Sequence, residues 1–244
     1  MTIAIIQARM GSTRLPGKVL RIINDKPMLS YLLERVSKSK KIDMLVIATS
    51  TFTKDDVIKE YCQKYGYKCF RGSENDVLSR YYECSKLFSA DIVVRLTADC
   101  PLIDPKIIDK VIQKFEDDNV EYCSNTVPMD TSTFPDGSDV EVFSMKALEK
   151  AYHEIKDPHF REHVTFQFWQ TSNYKSIQYI TDKNYSKYRI TVDYPEDFEV
   201  VSYIFNELAK KKSFGYLDEI IEIIESNEII KNKNGQYYFG QGWK

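Results

Sequence analysis

The chain has 244 residues, 43% of them apolar and 29% charged, with 34 Lys and Arg against 36 Asp and Glu. This is the composition of an ordinary soluble globular protein of one large domain or two small ones, and it excludes a disordered tail and a disulfide-stapled miniprotein. A formal net charge of −2 offers no general attraction to nucleic acid or to an anionic membrane, so neither partner is expected and any phosphate contact has to be made locally.

At the N-terminus residues 1–6 are apolar but few, and Arg9 and Arg14 follow them where a signal peptide would carry its basic residues in front. No later apolar run approaches the roughly 18 to 20 residues that cross a bilayer, and the expected location is the cytoplasm. Short β-branched runs at 2–7, 44–49, 67–70 and 91–97 predict strands. They alternate with amphipathic stretches, the pattern of βα units around a largely parallel sheet. Leu29, Leu32, Leu33 and Val36 fall at helical spacing behind Pro27 and predict a helix from about Lys26. Further helices are predicted at 54–65, 76–88 and 105–115.

From 125 to 136 the chain turns rich in Pro, Thr and Ser, which reads as an excursion from the sheet; the acceptor-side arm is placed at about 125–185. Beyond it the pattern predicts strands at 139–143, 176–180 and 189–192, a helical stretch at 159–169, and helices at 195–210 and 220–230. With no repeat, low-complexity tract or flexible linker, one domain over 1–244 is the economical reading. Its last part, about 214–244, is a C-terminal helix and tail. The five cysteines, Cys62, Cys69, Cys84, Cys100 and Cys123, form no C-x-x-C pair and have no zinc-finger histidines nearby. They read as reduced, mostly buried thiols.

Three segments carry chemistry. In the first, a strand ends and delivers Arg9, Gly11, Ser12, Thr13, Arg14, Gly17 and Lys18 into one loop. Glycines let the backbone approach an anion, arginines bind phosphate oxygens with forked donors, and a lysine adds a point charge. A Walker A loop needs four residues between its glycines and a hydroxyl after the lysine; here there are five, and Val19 follows Lys18. In the second segment, Val93 to Asp104, an apolar strand runs into Asp99, a candidate ligand for Mg²⁺ on a bound triphosphate, while Asp104 before Pro105 reads as a helix cap. In the third, Arg189 to Asp197, Asp193 is either a cap or a second metal ligand.

These segments, A-R-M-G-S-T-R-L-P-G-K (8–18), T-A-D-C-P-L-I-D (97–104) and T-V-D-Y-P-E-D (191–197), resemble the family of 3-deoxy-manno-octulosonate and acylneuraminate cytidylyltransferases. Within that family the branch of spore-coat polysaccharide biosynthesis protein F is similar at R-G-S-E-N-D-V-L-S-R (71–80), P-D-G-S-D-V-E-V-F (135–143) and R-E-H-V-T (161–165) as well. The resemblance covers residues 1 to about 205. It implies a single GT-A-like, Rossmann-like three-layer α/β domain with a mixed, mostly parallel sheet and a small inserted arm for dimerisation or closure. It further implies CTP and Mg²⁺, transfer of CMP to a sugar or sugar acid with release of pyrophosphate, and a homodimer. Ala8, Arg9, Gly11, Ser12, Arg14, Lys18, Arg71, Gly72, Ser73, Asp76 and Thr97 would bind the nucleotide, with Arg9, Ser12, Arg14 and Lys18 on the triphosphate and the stretch from Arg71 to Arg80 near the base and ribose. Asp99 and Asp193 would hold the metal; with Arg14 and Lys18 they make the catalytic set. The octulosonate enzymes carry glutamine where this chain has Thr97, which leaves the nucleotide base open.

Candidates for the acceptor pocket are Gly137, Asp139, Glu141, Arg161, Glu162 and His163, because they follow the excursion. Asp139 and Glu141 alternate with Val140 and Val142 and read equally as the outward side of a half-exposed strand. His153 and His159 read as surface residues. Two other readings stand beside nucleotidyl transfer: a GT-A glycosyltransferase, whose Asp-x-Asp motif is missing, and a non-catalytic nucleotide-binding subunit. Tyr237, Tyr238, Phe239 and Trp243 make the tail too aromatic to stay solvated, so it is expected to pack on its own domain or on a partner subunit.

Overall fold

The first strand, β1 (Thr2–Gln7), is apolar on both faces and buried on both: Ala4 and Ile6 enter one core, Ile3 and Ile5 the other. A strand of this kind belongs in the middle of a sheet covered by helices on both sides. The computed structural model describes residues 1–241; Trp243, part of the aromatic tail, lies outside them.

After β1 come β2 (Ile22–Ile23), β3 (Lys26–Pro27), α1 (Met28–Val36), β4 (Met44–Ser50), α2 (Asp56–Tyr65), β5 (Lys68–Gly72), α3 (Val77–Leu87), β6 (Ile92–Thr97) and α4 (Pro105–Asp117). The second half holds β7 (Tyr122–Ser124), β8 (Glu141–Ser144), α5 (Met145–Glu154), α6 (Pro158–His163), α7 (Phe166–Gln170), β9 (Ser176–Gln178), α8 (Pro195–Lys211), α9 (Leu217–Glu225) and α10 (Glu228–Asn232). The main sheet runs β5-β4-β1-β6-β8-β7-β9. Pairings are parallel from β5 to β6 and between β7 and β9, and antiparallel on both sides of β8. The sheet is therefore mixed and mostly parallel, as expected. Side chains of α1, α2, α4, α8 and α9 fill one core, those of α3, α5 and α7 the other.

This order positions the site. The chain passes from β1 to β4 and β5 on one side, then crosses to β6 on the other, so the strand order reverses at β1. Ligands of open α/β sheets bind in the crevice at the carboxyl ends of the strands flanking such a reversal. Gln7 at the end of β1 is in register with Thr97 at the end of β6, and the loops that follow them open at one edge.

Four expectations need correction. The first helix begins at Met28 because Asn24 and Asp25, both at positive φ, fold Ile22–Ile23 back onto Lys26–Pro27, a hairpin turn chemistry that the Pro27 signal masked. The 159–169 helix is two short ones, interrupted at Val164 with φ 58. The 220–230 helix breaks at Asn227, whose side chain accepts from the N–H groups of Ile229 and Ile230 and starts α10. The 189–192 segment forms one bridge, Arg189 to Asp136, and otherwise bonds loops: Ile190 and Thr191 N–H donate to Asp136 O, and Val192 N–H to Asp99 O. Part of the 125–185 stretch rejoins the sheet as β8 and β9.

Gly137 permits that loop clamp. It has φ 101, and a Cβ there would stand 2.2 Å from Thr191 N. Gly137→Ala is expected to destabilise the fold by about 2–4 kcal/mol, read as a lower urea midpoint; a midpoint equal to wild type would show that the clamp relaxes freely.

Candidate functional site

The β1 loop is pinned before any ligand arrives. Ala8 N–H donates to Ala48 O, Met10 N–H to Asp55 at 2.7 Å, and Gly17 N–H back to Met10 O. Ser12 Oγ accepts from Leu15 N–H at 3.2 Å. Gly17 takes φ 68, which turns the chain so that Lys18 points inward. Lys18 Nζ then lies 2.9 Å from Asp99 Oδ2, 2.9 Å from Asp193 Oδ1 and 2.8 Å from Val192 O. Arg14 donates to the same Asp193 oxygen at 2.9 Å. Burial opposes the charged form of Lys18, but the two carboxylates outweigh it and raise its pKa. Burial likewise works against Asp99, and Lys18 with Thr97 overrides it, holding that carboxyl well below its usual range.

Two adjoining cavities open at this edge. One, of about 200 Å³, is lined by Arg9, Gly11, Ser12, Thr13, Arg14 and Lys18 with Val19 and Ala98. The other, of about 210 Å³, is lined by Arg95, Cys100, Thr126, Val127, Asp136, Asp139, Glu141, His163, Thr165, Phe166, Trp169, Thr191 and Phe239. Gln7, Thr97, Asp99 and Asp193 line both. Two acids thus stand between a cationic, glycine-bearing loop and a second, carboxylate-rich chamber.

Most predicted residues converge there; several do not. Arg71 is spent on Ser50 O, Phe52 O and Asp56, Gly72 pairs with Ser50, and Ser73 Oγ accepts from Asp76 N–H. Asp76 caps α3 and binds the Arg161 guanidinium at 2.7 and 2.9 Å. Arg161 also donates to Tyr152 O and Ile155 O. None of these five lines either cavity, and exposed Glu162 does not either. Arg71 fastens the end of β4 to the start of α2, and Asp76 with Arg161 fastens α3, α5 and α6 together, which no spacing reveals. His163 lines the second cavity and stacks on Phe166 at 4.3 Å; burial lowers its pKa. His153 and His159 are exposed, as expected.

Asp104 accepts from Lys106 N–H at 2.8 Å and from Leu217 N–H at 3.0 Å, the capping role read from its Pro neighbour. In the third segment the two acids divide the work. Asp197, fully buried, accepts from the N–H groups of Asp193 and Tyr194, which leaves Asp193 facing the cavities.

Arg189 and Arg95 were not singled out in advance. Arg189 binds Asp136, Asp193 at 3.2 Å and Asp197 at 2.9 Å. Arg95 sits opposite Glu141 in the β6–β8 register and forms an ion pair with it; Tyr122 OH donates to the same carboxylate at 2.5 Å. A charge inside the run Val93-Val94-Arg95-Leu96 was the available signal, since a buried arginine needs a buried acid. Asp139 accepts from Thr126 Oγ1 at 2.8 Å and Gly137 N–H at 2.9 Å. Burial pushes its pKa up to about 6 despite those donors. Two described residues of the tail pack on their own chain: Tyr237 stacks on Tyr194 at 3.8 Å, and Phe239 reaches the second cavity. The five thiols are free; Cys69 is half-buried and the others are buried.

Among the described residues no group of three or more His, Cys, Asp or Glu forms a ready metal cage. Asp99 and Asp193 nevertheless converge on one point, now filled by the Lys18 ammonium. Two carboxylates suit a hard divalent cation that completes its shell with phosphate and water oxygens.

The strand-order reversal, the phosphate-type loop at its carboxyl edge and the paired acids beside it define a nucleotidyltransferase-type α/β protein. Residues 3–238 match the family model described as cytidylyltransferase. The chain is 32% identical to the spore coat polysaccharide biosynthesis protein SpsF of Bacillus subtilis (strain 168) over 241 residues, 91% of this chain and 93% of that protein. It is 30% identical to 3-deoxy-manno-octulosonate cytidylyltransferase 2 of Hydrogenovibrio crunogenus over 190 residues, 72% of each. A solved cytidylyltransferase from Leptospira borgpetersenii serovar Hardjo-bovis (strain JB197) superposes with a TM-score of 0.86 at 37% identity, covering 94% of this chain and 95% of that one. The chain belongs to the cytidylyltransferase family and is a nucleotidyltransferase.

Proposed function

We propose that the protein transfers CMP from CTP to a sugar or sugar acid for surface polysaccharide or glycan synthesis, releasing pyrophosphate. The observation that carries this reading is the pair of adjoining cavities with Asp99 and Asp193 on their shared wall. The loop cavity receives the triphosphate and the β6–β8 cavity the acceptor. Arg9, Arg14 and Lys18, with the loop N–H groups around Gly11 and Ser12, bind triphosphate oxygens. Thr97, on the common wall, lies where the α-phosphate and the attacking oxygen meet. Asp99 and Asp193 would hold Mg²⁺, which would supply charge neutralisation of the phosphates and of the pyrophosphate leaving group. The cations of this chain do the rest: an oxygen nucleophile approaching an anionic α-phosphorus needs positive charge fixed in advance. Lys18, which answers both acids in the resting chain, would turn to the triphosphate oxygens once the acids hold the cation. A homodimer working in the cytoplasm, with no nucleic-acid or membrane partner, is part of this reading and rests on the family resemblance and the charge balance. Among the described residues no helix is long and apolar enough to cross a membrane.

The test is pyrophosphate release with CTP, GTP, UTP or ATP plus Mg²⁺ against a panel of sugars and sugar acids. CTP is expected to support release at least about tenfold better than the others. Asp99→Asn and Asp193→Asn are each expected to lower it about 10²–10³-fold. Equal rates with all four nucleotides overturn the cytidine assignment, and full activity in either variant removes that acid from the site.

A further inference from the structure

We propose that the β6–β8 cavity selects a sugar or sugar acid whose end beside Asp139, away from the reacting oxygen, is uncharged or amino-bearing, and that Asp139 is the residue that selects it. This rests on the reading above, that the cavity beside the loop holds the acceptor.

The argument is one of charge already spent. Among the described residues the cationic side chains around the chamber are committed to acids: Arg95 to Glu141 and Arg189 to Asp136, Asp193 and Asp197, while Lys18 answers Asp99 and Asp193 until the triphosphate takes it. The arginine that sequence pattern offered as a carboxylate clamp, Arg161, is turned away into Asp76 and two backbone carbonyls. Among the described acids of the chamber wall, Asp139 has a different kind of company. Its partners are the Thr126 hydroxyl, the Gly137 N–H and the Cys100 thiol, none of them cationic. Among the described residues, a carboxylate or phosphate placed beside Asp139 would meet its charge with no uncommitted cationic side chain to offset the repulsion.

Two further atoms describe the ligand from the other side. Gln7 Oε1, a buried acceptor on the shared wall, has no partner, and neither has Arg95 Nε, a buried donor on the chamber wall. A hydroxyl both donates and accepts, so a polyhydroxylated ring can satisfy the two atoms and Asp139 together; a carboxylate can only accept. An ammonium donates to Asp139 and Gln7 and adds the missing positive charge. Phe166 and Trp169, edge to face at 5.4 Å, give the chamber an aromatic side against which the C–H face of a sugar ring packs.

The experiment is a calorimetric titration of the full chain, loaded with Mg²⁺ and α,β-methylene-CTP, with several hexose and nonulose scaffolds. Each scaffold is offered as its free amine, its alcohol, its carboxylate and its phosphate. Amines or alcohols are expected to bind at least about tenfold tighter than the matched anions. Asp139→Asn is expected to close the gap between amine and carboxylate while the affinity for the nucleotide analogue stays that of wild type. Anions binding as well as or better than their matched amines and alcohols, a gap that survives Asp139→Asn, or no amine or alcohol binding on any scaffold overturns the inference. Unchanged nucleotide affinity shows that the variant is folded; if it is lost, the wild-type gap decides alone. Failure of the wild-type chain to bind the nucleotide analogue overturns the functional reading and this inference with it, whereas normal nucleotide binding with a preference for anions overturns this inference only.

Discussion

Replacing Lys18 with methionine is expected to lower nucleotidyl transfer about 10³-fold, at the upper end of what one prepositioned charge contributes in a site of this kind. The methionine keeps most of the stem that packs in the half-closed loop, so the change isolates the ammonium. In the resting protein that ammonium lies 2.9 Å from both Asp99 and Asp193. Without it two carboxylates face each other across one point, and the triphosphate loses a fixed cation. Initial rates of pyrophosphate release separate the two consequences from CTP affinity measured at equilibrium. A loss in rate larger than the loss in affinity places Lys18 in the transition state. Turnover within tenfold of wild type would remove it from the reaction. The two acids are partly open to water, 27% and 19% exposed, so the stability loss stays well below that of a fully buried pair broken on one side.

Arg189→Met is expected to show the opposite balance, a loss of about 3–5 kcal/mol in stability and a loss of activity that follows from it. The guanidinium is the common partner of Asp136, Asp193 and Asp197, and Asp197 is fully buried. It also ties the loop clamp at 189–192 to the N-terminus of α8. For a domain whose whole stability is about 5–15 kcal/mol, that leaves a marginal fold, read as a large drop in the urea midpoint. The deficit should be smaller near about pH 5 than near about pH 8. Burial, then Asp139, already opposes ionisation of Asp136. Once the arginine is gone, that acid takes up a proton as the pH falls and the uncompensated charge disappears. A midpoint shift of less than about 1 kcal/mol would mean that water replaces the guanidinium.

Much of this protein was legible from its residues, and the parts that were not share a cause. The β1 and β6 strands, the loop between Ala8 and Lys18, Asp99, the cap at Asp104 and the helix after Pro195 all rest on local chemistry: apolar runs, a glycine-rich turn, an acid before a proline. Asp193 was ambiguous because its segment carries two acids suited to one cap. Only when Asp197 takes the backbone N–H groups of Asp193 and Tyr194 is Asp193 left to face the cavities. The second half was harder. The 189–192 run has strand composition, but Gly137 lets the Asp136 loop approach so closely that the segment bonds loops on both sides.

The sequence by itself determined the α/β class of the fold, the edge at which the candidate site lies and the cations of the loop at that edge, because each of these follows from periodicity or from residues a few positions apart. Tertiary structure alone decided how the charges are paired. Arg161 and Arg71, equal on paper to Arg14, are consumed by Asp76 and Asp56. Arg95 is neutralised by an acid 46 residues away, and Asp139 is left without a cation among the described residues. Ion pairing depends on distances of a few ångströms between segments far apart in the chain, and no local pattern encodes which acid a given arginine will meet.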